Sequence, residues 1–470
     1  MGNTEGIKRK GLDISVKSFV SSIAILFVLM LFVYVLTFIV PGGEYGRIVD
    51  SNGDTIIDTQ GGFKYVDGGI SFIKWVLSPI LVLTVDGSST IMAVIGFLLV
   101  AGGIFNTLEK SGLMKYILER IAHKMSKNKY TLMGFIIFFF MLLGAMIGSF
   151  EECVPLVPIV VALAISLGWD DLTGLGMSLL AVGCGFASGV CNPFTVGIAQ
   201  EIAGITMFSG IWFRILCFVI IYIILTFFVY CHAKSVEKPV NDEALYNDFK
   251  KNKKFDLSSL LFVIIFGIGI VIVLCSVFIT FLQDLTMVII AIMFLIAGLV
   301  SVLVLGMKPT EFVKWFGYGV VSVLPAVLLI LMASSVKYTL IESNMLDTLL
   351  FYGVKIAEKL PGEAVVIFIY LIVLVMNFFV SSGSAKAFLM IPLIVPIGQI
   401  FDISSQICIT AFAFGDGFTN VLYPTNPVLL ISLGLVNVSY TKWLKWTWRF
   451  QLVNFIITGA MLLYGLMIGY

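Results

Sequence analysis

Charged residues are scarce in this chain of 470 residues, at only 12% against 59% hydrophobic residues. Ordinary soluble proteins carry about 25% charged residues, so the composition excludes a soluble enzyme. Apolar runs such as residues 19–40 can cross a hydrocarbon core of about 30 Å, which takes roughly 20 residues. These runs do not alternate in polarity as the strands of a membrane β-barrel do. The sequence therefore predicts an all-α polytopic membrane protein.

Motifs for metal binding, nucleotide binding and hydrolysis are missing as well. The seven cysteines form no CxxC pair and only His123 and His232 could join them, so no zinc or redox site is predicted. No P-loop, HExxH or GxSxG pattern occurs, and a net charge of +1 gives no reason to expect a nucleic-acid partner. We predict no enzymatic activity and no cofactor other than a coupling ion, Na+ or H+. The predicted partners are a small-molecule substrate and the lipid bilayer.

Most of the 29 Lys and Arg residues fall in five segments, at residues 8–17, 110–129, 234–254, 308–314 and 442–449. By the positive-inside rule these segments are cytoplasmic, which predicts a multi-pass protein of the bacterial inner membrane with a cytoplasmic N-terminus. The spans predicted in this way are residues 19–40, 89–108, 171–203, 210–231, 258–282, 286–306, 319–341, 405–434 and 450–469. The glycine-rich segment 42–69 is predicted to be an external loop.

Two apolar stretches do not cross from one side of the membrane to the other in this topology. Residues 130–167 begin and end inside, and residues 363–401 begin and end outside. We predict that both are re-entrant helical hairpins, with polar tips at Gly148–Glu152 and Ser381–Ser384. Non-helical backbone at membrane depth persists only beside protein or a water-filled cavity, so the tips should line a cavity. The alternative is that each stretch is one long, kinked span.

The two halves of the chain resemble each other. At an offset of 234 residues, Pro158 falls on Pro392, Asn192-Pro193 falls on Asn426-Pro427, and Glu152 falls on Lys386. The second half has one additional span, which predicts an inverted-topology repeat of the kind that secondary transporters use. The predicted units are residues 1–236, a cytoplasmic linker at 237–256, and residues 257–470. Chance agreement in so apolar a composition is the alternative.

The Asn-Pro pairs lie inside the spans 171–203 and 405–434, where proline removes a backbone hydrogen bond and should break each helix. Broken helices expose carbonyls that bind cations and amides that bind anions, whereas an ordinary proline kink would have no such role. The candidate substrate-binding residues are Ser149, Glu151, Glu152, Asn192, Ser382, Gly383, Ser384, Lys386 and Asn426. The candidate coupling-ion residues are Asp416, Asn192, Asn426 and Glu151.

Few ionisable residues are predicted at membrane depth, where a charge costs about 2.5 to 3.5 kcal/mol on insertion scales. The first tip carries acids and the second carries Lys386, and opposite poles suit a zwitterion. We predict that Glu151 or Glu152 receives an ammonium or guanidinium group, and that Lys386 with the amides of Ser381–Ser384 receives a carboxylate. The alternative is a purely structural ion pair between Glu152 and Lys386.

Through its GSFEE tip, its SSGSAK tip and its paired Asn-Pro breaks, the chain resembles the four-carbon dicarboxylate anaerobic carrier (DcuC-type) family of the ion-transporter superfamily. Within that family it is most similar to the YfcC-like branch of proposed basic amino acid antiporters. The resemblance implies a homodimer, an elevator-type transport domain made of both hairpins and both broken helices, and exchange or cation-coupled uptake of small carboxylate-bearing metabolites. Sodium–dicarboxylate members of the superfamily carry Ser-Asn-Thr tips, whereas Gly148-Ser149-Phe150 and Ser382-Gly383-Ser384 stand here.

The sequence thus favours a secondary active transporter of amino acids, in particular basic ones, that works by exchange or with a coupling cation. A four-carbon dicarboxylate carrier of the same fold ranks second. A channel would need a continuous polar lining, and an intramembrane enzyme would need a catalytic constellation, so both rank lower.

Overall fold

The computed structural model of the chain is mostly helical, and eight helices in its described part are long and apolar enough to cross a membrane. It describes residues 16–49, 55–85, 88–117, 120, 128–148, 150, 153–154, 156–206, 208–238, 251–276 and 285–470. The helices are Val16–Leu36, Phe72–Leu81, Ser88–Lys110, Lys129–Ile147, Leu156–Ser166, Asp171–Leu175, Gly176–Leu180, Ala181–Ser188, Pro193–Gly197, Ile198–Ile202, Ile211–Val236, Lys253–Ser276, Thr286–Val304, Pro309–Glu342, Met345–Ala357, Gly362–Phe379, Gly383–Ile400, Ser405–Asn420, Pro427–Leu435 and Tyr440–Met467. These bounds confirm a polytopic helical architecture.

The all-α prediction is wrong in one segment. Residues 42–69, predicted to be a loop, contain two antiparallel strands, Gly43–Val49 and Thr55–Tyr65. The β-branched run Thr55-Ile56-Ile57 favours a strand, and the Asn52-Gly53 pair that precedes it is typical of hairpin turns. Both signals are present in the sequence, but the many glycines of the segment favoured a loop.

The strand pair is fastened to the helix Met345–Ala357. Asp347 accepts hydrogen bonds from the guanidinium of Arg47, at 2.8 Å, and from the backbone N–H of Tyr45, at 2.9 Å. The ring of Phe63 stacks on that of Phe351 with their centroids 4.1 Å apart. These contacts hold the strands of the first half against the helix Met345–Ala357 of the second half.

Six outer helices pack together on one side of the fold, with Pro309–Glu342 in contact with several of the others. The six are Val16–Leu36, Phe72–Leu81, Ser88–Lys110, Lys253–Ser276, Thr286–Val304 and Pro309–Glu342. Pro309–Glu342 crosses Ser88–Lys110 closely, since a Cβ added at Gly319 would lie 2.2 Å from the carbonyl oxygen of Gly102. Small residues at the crossing are what permits such an approach between apolar helices.

Both predicted hairpins turn back on themselves, so that the two ends of each lie together. In the first hairpin, Lys129–Ile147 and Leu156–Ser166, the Nζ of Lys129 lies 5.8 Å from the ring centre of Trp169. In the second hairpin, Gly362–Phe379 and Gly383–Ile400, a Cβ added at Gly362 would lie 3.7 Å from the Cβ of Phe401. A single kinked span would have separated these ends.

The open end of the first hairpin lies within a group of charged residues. Lys442 pairs with Asp171 at 2.8 Å, and the Nε2 of His232 lies 3.2 Å from the carboxylate of Asp170. Burial raises the pKa of Asp170, but hydrogen bonds from His232 and Thr173 outweigh burial and lower this pKa to about 2. This end of the bundle carries Lys129, Lys234 and Lys442, which belong to three of the basic segments predicted to be cytoplasmic.

The open end of the second hairpin lies at the opposite end of two helices, Ile211–Val236 and Tyr440–Met467, which we call the closing helices. There Gln406 donates to the hydroxyl of Ser209 at 2.5 Å, and Ser404 donates to the backbone carbonyl of Tyr470. The two hairpins therefore enter the bundle from opposite ends. Which membrane face each end occupies stays a prediction from charge.

Two broken helices form the interior. The first consists of Asp171–Ser188 and residues 193–202, and the second of Ser405–Asn420 and Pro427–Leu435. They cross at small residues. A Cβ added at Gly417 would lie 2.2 Å from the Cα of Ala187, and a Cβ added at Gly183 would lie 2.5 Å from the side chain of Val421. Both predicted breaks at the Asn-Pro pairs are therefore present, and the two helices meet near them.

Candidate functional site

A buried ion pair lies at the core of the site. Lys386, in the first turn of Gly383–Ile400, donates to the carboxylate of Asp416 in the second broken helix and to the amide oxygen of Asn377. The side chains of Lys386 and Asp416 are both 0% exposed. A buried charge that loses its partner is very costly, so each of these two residues depends on the other.

Asn377 orients this pair. Its Nδ2 donates to the backbone carbonyl of Asp416 at 2.7 Å, to the hydroxyl of Thr419 at 2.7 Å and to the Oδ1 of Asn420 at 3.0 Å. Because the amino group is held by these acceptors, the amide oxygen of Asn377 must point toward Lys386. The first arm of the second hairpin, its second arm and the second broken helix are thereby joined at one point.

The second tip is seated against both broken helices. A Cβ added at Gly383 would lie 2.7 Å from the Oδ2 of Asp416 and 2.7 Å from the methyl group of Thr195. This Oδ2 and the hydroxyl of Thr195 are buried and have no hydrogen-bond partner among the described residues. Ser382 caps the helix that follows, and its hydroxyl lies 3.4 Å from that of Ser384. Two buried polar groups without a described hydrogen-bond partner and the N-terminus of a helix therefore lie together at this tip.

Asn192 lies at the end of the first arm of the first hairpin. The helix Lys129–Ile147 stops at Gly148, whose positive φ of 73° suits glycine. A Cβ added at Gly148 would lie 2.4 Å from the Oδ1 of Asn192, which also accepts from the N–H of Phe194 at 3.0 Å. The Nδ2 of Asn192 is buried without a partner in the described part of the chain. The segment 192–195 thus contacts both hairpins, the first at Asn192 and the second at Thr195.

Three predicted residues of the first tip, Ser149, Glu151 and Glu152, lie outside the described residues. Their predicted roles stay predictions, including the cationic pole at Glu151 or Glu152. Of the other predicted residues, the structure places Gly383, Lys386 and Asp416 together at the second tip, whereas Asn192 lies beside Gly148 at the first hairpin.

Asn426 connects to the same group from the second break. Its Nδ2 donates to the Oδ1 of Asn420 at 3.1 Å, and Asn420 is bound in turn by Asn377. Its Oδ1 accepts from the N–H groups of Val428 and Leu429, so it caps the helix that follows. Both polar atoms of Asn426 are used within the protein, unlike those of Asn192.

The closing helices cap carbonyls that the breaks expose. Arg214 donates through its Nε to the carbonyl of Val190 at 3.3 Å, and Trp443 donates through its Nε1 to that of Val421 at 2.7 Å. These carbonyls were expected to be open for a cation. Because side chains from the next helix already bind them, these two carbonyls are not free for a cation.

Arg214 was missed by the sequence analysis, although it is a cation inside an apolar run. It is fully buried, and its guanidinium also contacts Tyr470 Oη at 3.0 Å, the carbonyl of Ser209 at 3.0 Å and Gln406 Oε1 at 3.3 Å. These are neutral partners. Asn377 was missed as well, since an isolated polar residue in an apolar run gives no indication of what it faces.

Substituting Gly383 by Ala tests how tightly the second tip is seated. The new methyl group would collide with the Asp416 carboxylate and Thr195, so we expect the tip to shift and transport to fall sharply while the protein stays folded. Gly362→Ala, at the open end of the same hairpin, is the matched control and should have a much smaller effect, because the added Cβ there meets its nearest neighbour at an ordinary 3.7 Å. Purified yield and uptake by the two variants measure this, and equal uptake would contradict it.

Comparison with known proteins assigns the chain to a family. Residues 19–467 match the model of the family described as "C4-dicarboxylate anaerobic carrier", DcuC. The chain belongs to this family. The resemblance expected from the two tips and the Asn-Pro pairs is confirmed, and with it the prediction of a membrane transporter.

Two relatives of this DcuC-family chain cover most of it. One is "Putative basic amino acid antiporter YfcC" of Escherichia coli K12, which is 30% identical over 402 residues, or 81% of this chain and 79% of the relative. The other is a protein of Haemophilus influenzae Rd without an assigned function, 22% identical over 91% of this chain and 93% of the relative. The chain therefore spans most of the length of both.

Two solved transporter structures align with most of the chain. The YdaH transporter of Alcanivorax borkumensis covers 96% of this chain at 16% identity with a TM-score of 0.44. MtrF of Neisseria gonorrhoeae, described as one of a class of antimetabolite efflux pumps, covers 95% at 14% identity with a TM-score of 0.45.

Proposed function

We propose that this DcuC-family transporter is a secondary active carrier of amino acids, basic ones in particular, that works by exchange. The carrying observation is the charge-balanced Lys386–Asp416 pair at the point where the second tip meets both broken helices. A dicarboxylate would bring two negative charges to a site whose one described cation is already neutralised. A basic amino acid brings one carboxylate and two cationic groups, and its net positive charge would be balanced by Glu151 or Glu152, which matters because unpaired charges are costly at membrane depth.

Each pole of the substrate has a candidate partner. The first N–H groups of the helix Gly383–Ile400 have no acceptor within that helix, and its positive dipole end favours a carboxylate. Since Lys386 is engaged by Asp416, we assign the carboxylate to these amides. The ammonium or guanidinium group is assigned to Glu151 or Glu152. The E. coli relative named for basic amino acid antiport supports this choice.

We also propose an inverted repeat and an elevator motion. At the offset of 234 residues, Gly183 corresponds to Gly417 and Ala187 to Val421, so the contacts Gly183–Val421 and Gly417–Ala187 are reciprocal. A twofold axis between the halves would generate such a pair of contacts. The hairpins, broken helices and closing helices would move together against the outer helices, in a homodimer of the inner membrane with its N-terminus in the cytoplasm.

Counterflow in proteoliposomes tests the function. Vesicles preloaded with unlabelled lysine or arginine should take up the same labelled amino acid faster than empty vesicles, because a carrier returns loaded and a channel does not. Preloading with a four-carbon dicarboxylate should give no acceleration. Acceleration by dicarboxylates alone would favour the second candidate, a dicarboxylate carrier. The family description and the helix N-termini at Ser382 and Asn426 support that candidate.

A further inference from the structure

We infer that the ammonium group of Lys386 occupies a cation site of the kind that binds Na+, and that it takes the place of a coupling sodium ion. The inference rests on the proposed transport function and adds one property to it. Exchange by this chain should not require Na+, because the cation of the site is part of the protein.

The ligands of the ammonium group are those of an alkali cation. It contacts a carboxylate oxygen of Asp416 and the amide oxygen of Asn377, two hard oxygen donors on different elements. Carboxylate and amide oxygens suit hard cations, and one carboxylate balances one positive charge. The second oxygen of Asp416 is also buried and has no partner in the described part of the chain. The pocket therefore contains one more oxygen atom, the Oδ2 of Asp416, than the two that Lys386 contacts.

One of the two oxygen ligands is held in place without the lysine. The amino group of Asn377 is held by Thr419, Asn420 and the carbonyl of Asp416, which fixes its oxygen in place. Asp416 lies in the buried helix Ser405–Asn420. A shorter side chain at position 386 should therefore leave two oxygen ligands aimed at a space of cation size.

Three carbonyls at the breaks are already bound by side chains of the protein. Those of Val190 and Val421 accept from Arg214 and Trp443, and that of Leu422 accepts from Tyr440 at 2.9 Å. The candidate ligands for a cation are therefore the carboxylate of Asp416 in the second broken helix and the amide oxygen of Asn377 in the second hairpin. A tethered ammonium there cannot leave with the substrate, so this site cannot draw on a sodium gradient.

The wild-type protein gives the first test. The initial rate of amino acid counterflow should be the same in NaCl and in choline chloride at equal ionic strength. A rate that depends on Na+ would overturn the inference. If no amino acid or dicarboxylate gives counterflow in either salt, the proposed function fails, and the site is then judged by the binding test alone.

Binding is tested on variants of position 386 by thermal unfolding in the two salts. Lys386→Ala opens the pocket, so Na+ at about ten times its Kd should raise the Tm by roughly 2 °C or more relative to choline. Lys386→Met fills the same space without a charge and is the matched control, which should show no difference between the salts. A folded Lys386→Ala protein whose Tm responds to Na+ no more than that of Lys386→Met would overturn the inference. Should Lys386→Ala fail to fold in both salts, the wild-type salt comparison decides.

Discussion

Lys386→Met is expected to lower the free energy of unfolding by about 3–5 kcal/mol, since it leaves the buried carboxylate of Asp416 without its cation. Thermal unfolding of the purified variant in detergent measures the loss. Lys337→Met is the matched control: Lys337 lies in the outer helix Pro309–Glu342, and the structure pairs it with no carboxylate among the described residues. It should therefore change stability much less.

The double variant Lys386→Met with Asp416→Asn separates structure from transport. With no charge left in the pocket, most of the lost stability should return, as replacing a whole buried ion pair is often neutral. Transport should not return, because the site then lacks both of its described charges. Full transport by the double variant would reduce the pair to a structural contact and contradict its place in the site.

The two Asn-Pro asparagines are expected to respond differently to the same substitution. Asn426→Leu removes a helix cap worth about 0.5–2 kcal/mol and a buried hydrogen bond to Asn420, so this variant should be clearly less stable than the wild type. Asn192→Leu loses only the bond from Phe194, since its Nδ2 has no partner among the described residues. It should fold and yet lose transport, because the buried amide group that it removes is one of our candidate substrate ligands.

Asn426→Ser is the control for this pair, since serine also caps helices and should restore part of the stability that leucine removes. Unfolding temperatures and counterflow rates are compared for all three variants. Equal stability of Asn192→Leu and Asn426→Leu would mean that the asymmetry in their hydrogen bonds has no energetic weight. Normal transport by Asn192→Leu would remove Asn192 from the substrate site.

Much of the architecture could be predicted because it depends on local properties of the chain. Apolar runs of sufficient length mark the helices, and basic segments mark the end of the bundle where Lys442 and Asp171 meet. Both interior helices break at their Asn-Pro pairs, where proline supplies no N–H to continue the preceding turn and, at the second break, Asn426 caps the next helix. The strand pair Gly43–Val49 and Thr55–Tyr65 was missed, because there the glycines and the β-branched residues give opposite signals.

The candidate site was predicted residue by residue but not pair by pair. The sequence by itself determined that Lys386 and Asp416 are buried charges that need a function, because few charges stand in apolar runs. Only the tertiary structure decided that they neutralise each other, that Asn377 orients them and that Arg214 caps the first break. Hydrophobic periodicity and proline set where a helix lies and where it breaks. Which side chains then meet depends on the depth and rotation at which helices cross, and these are set by close contacts such as that of Gly417 with Ala187, from residues far apart in the chain.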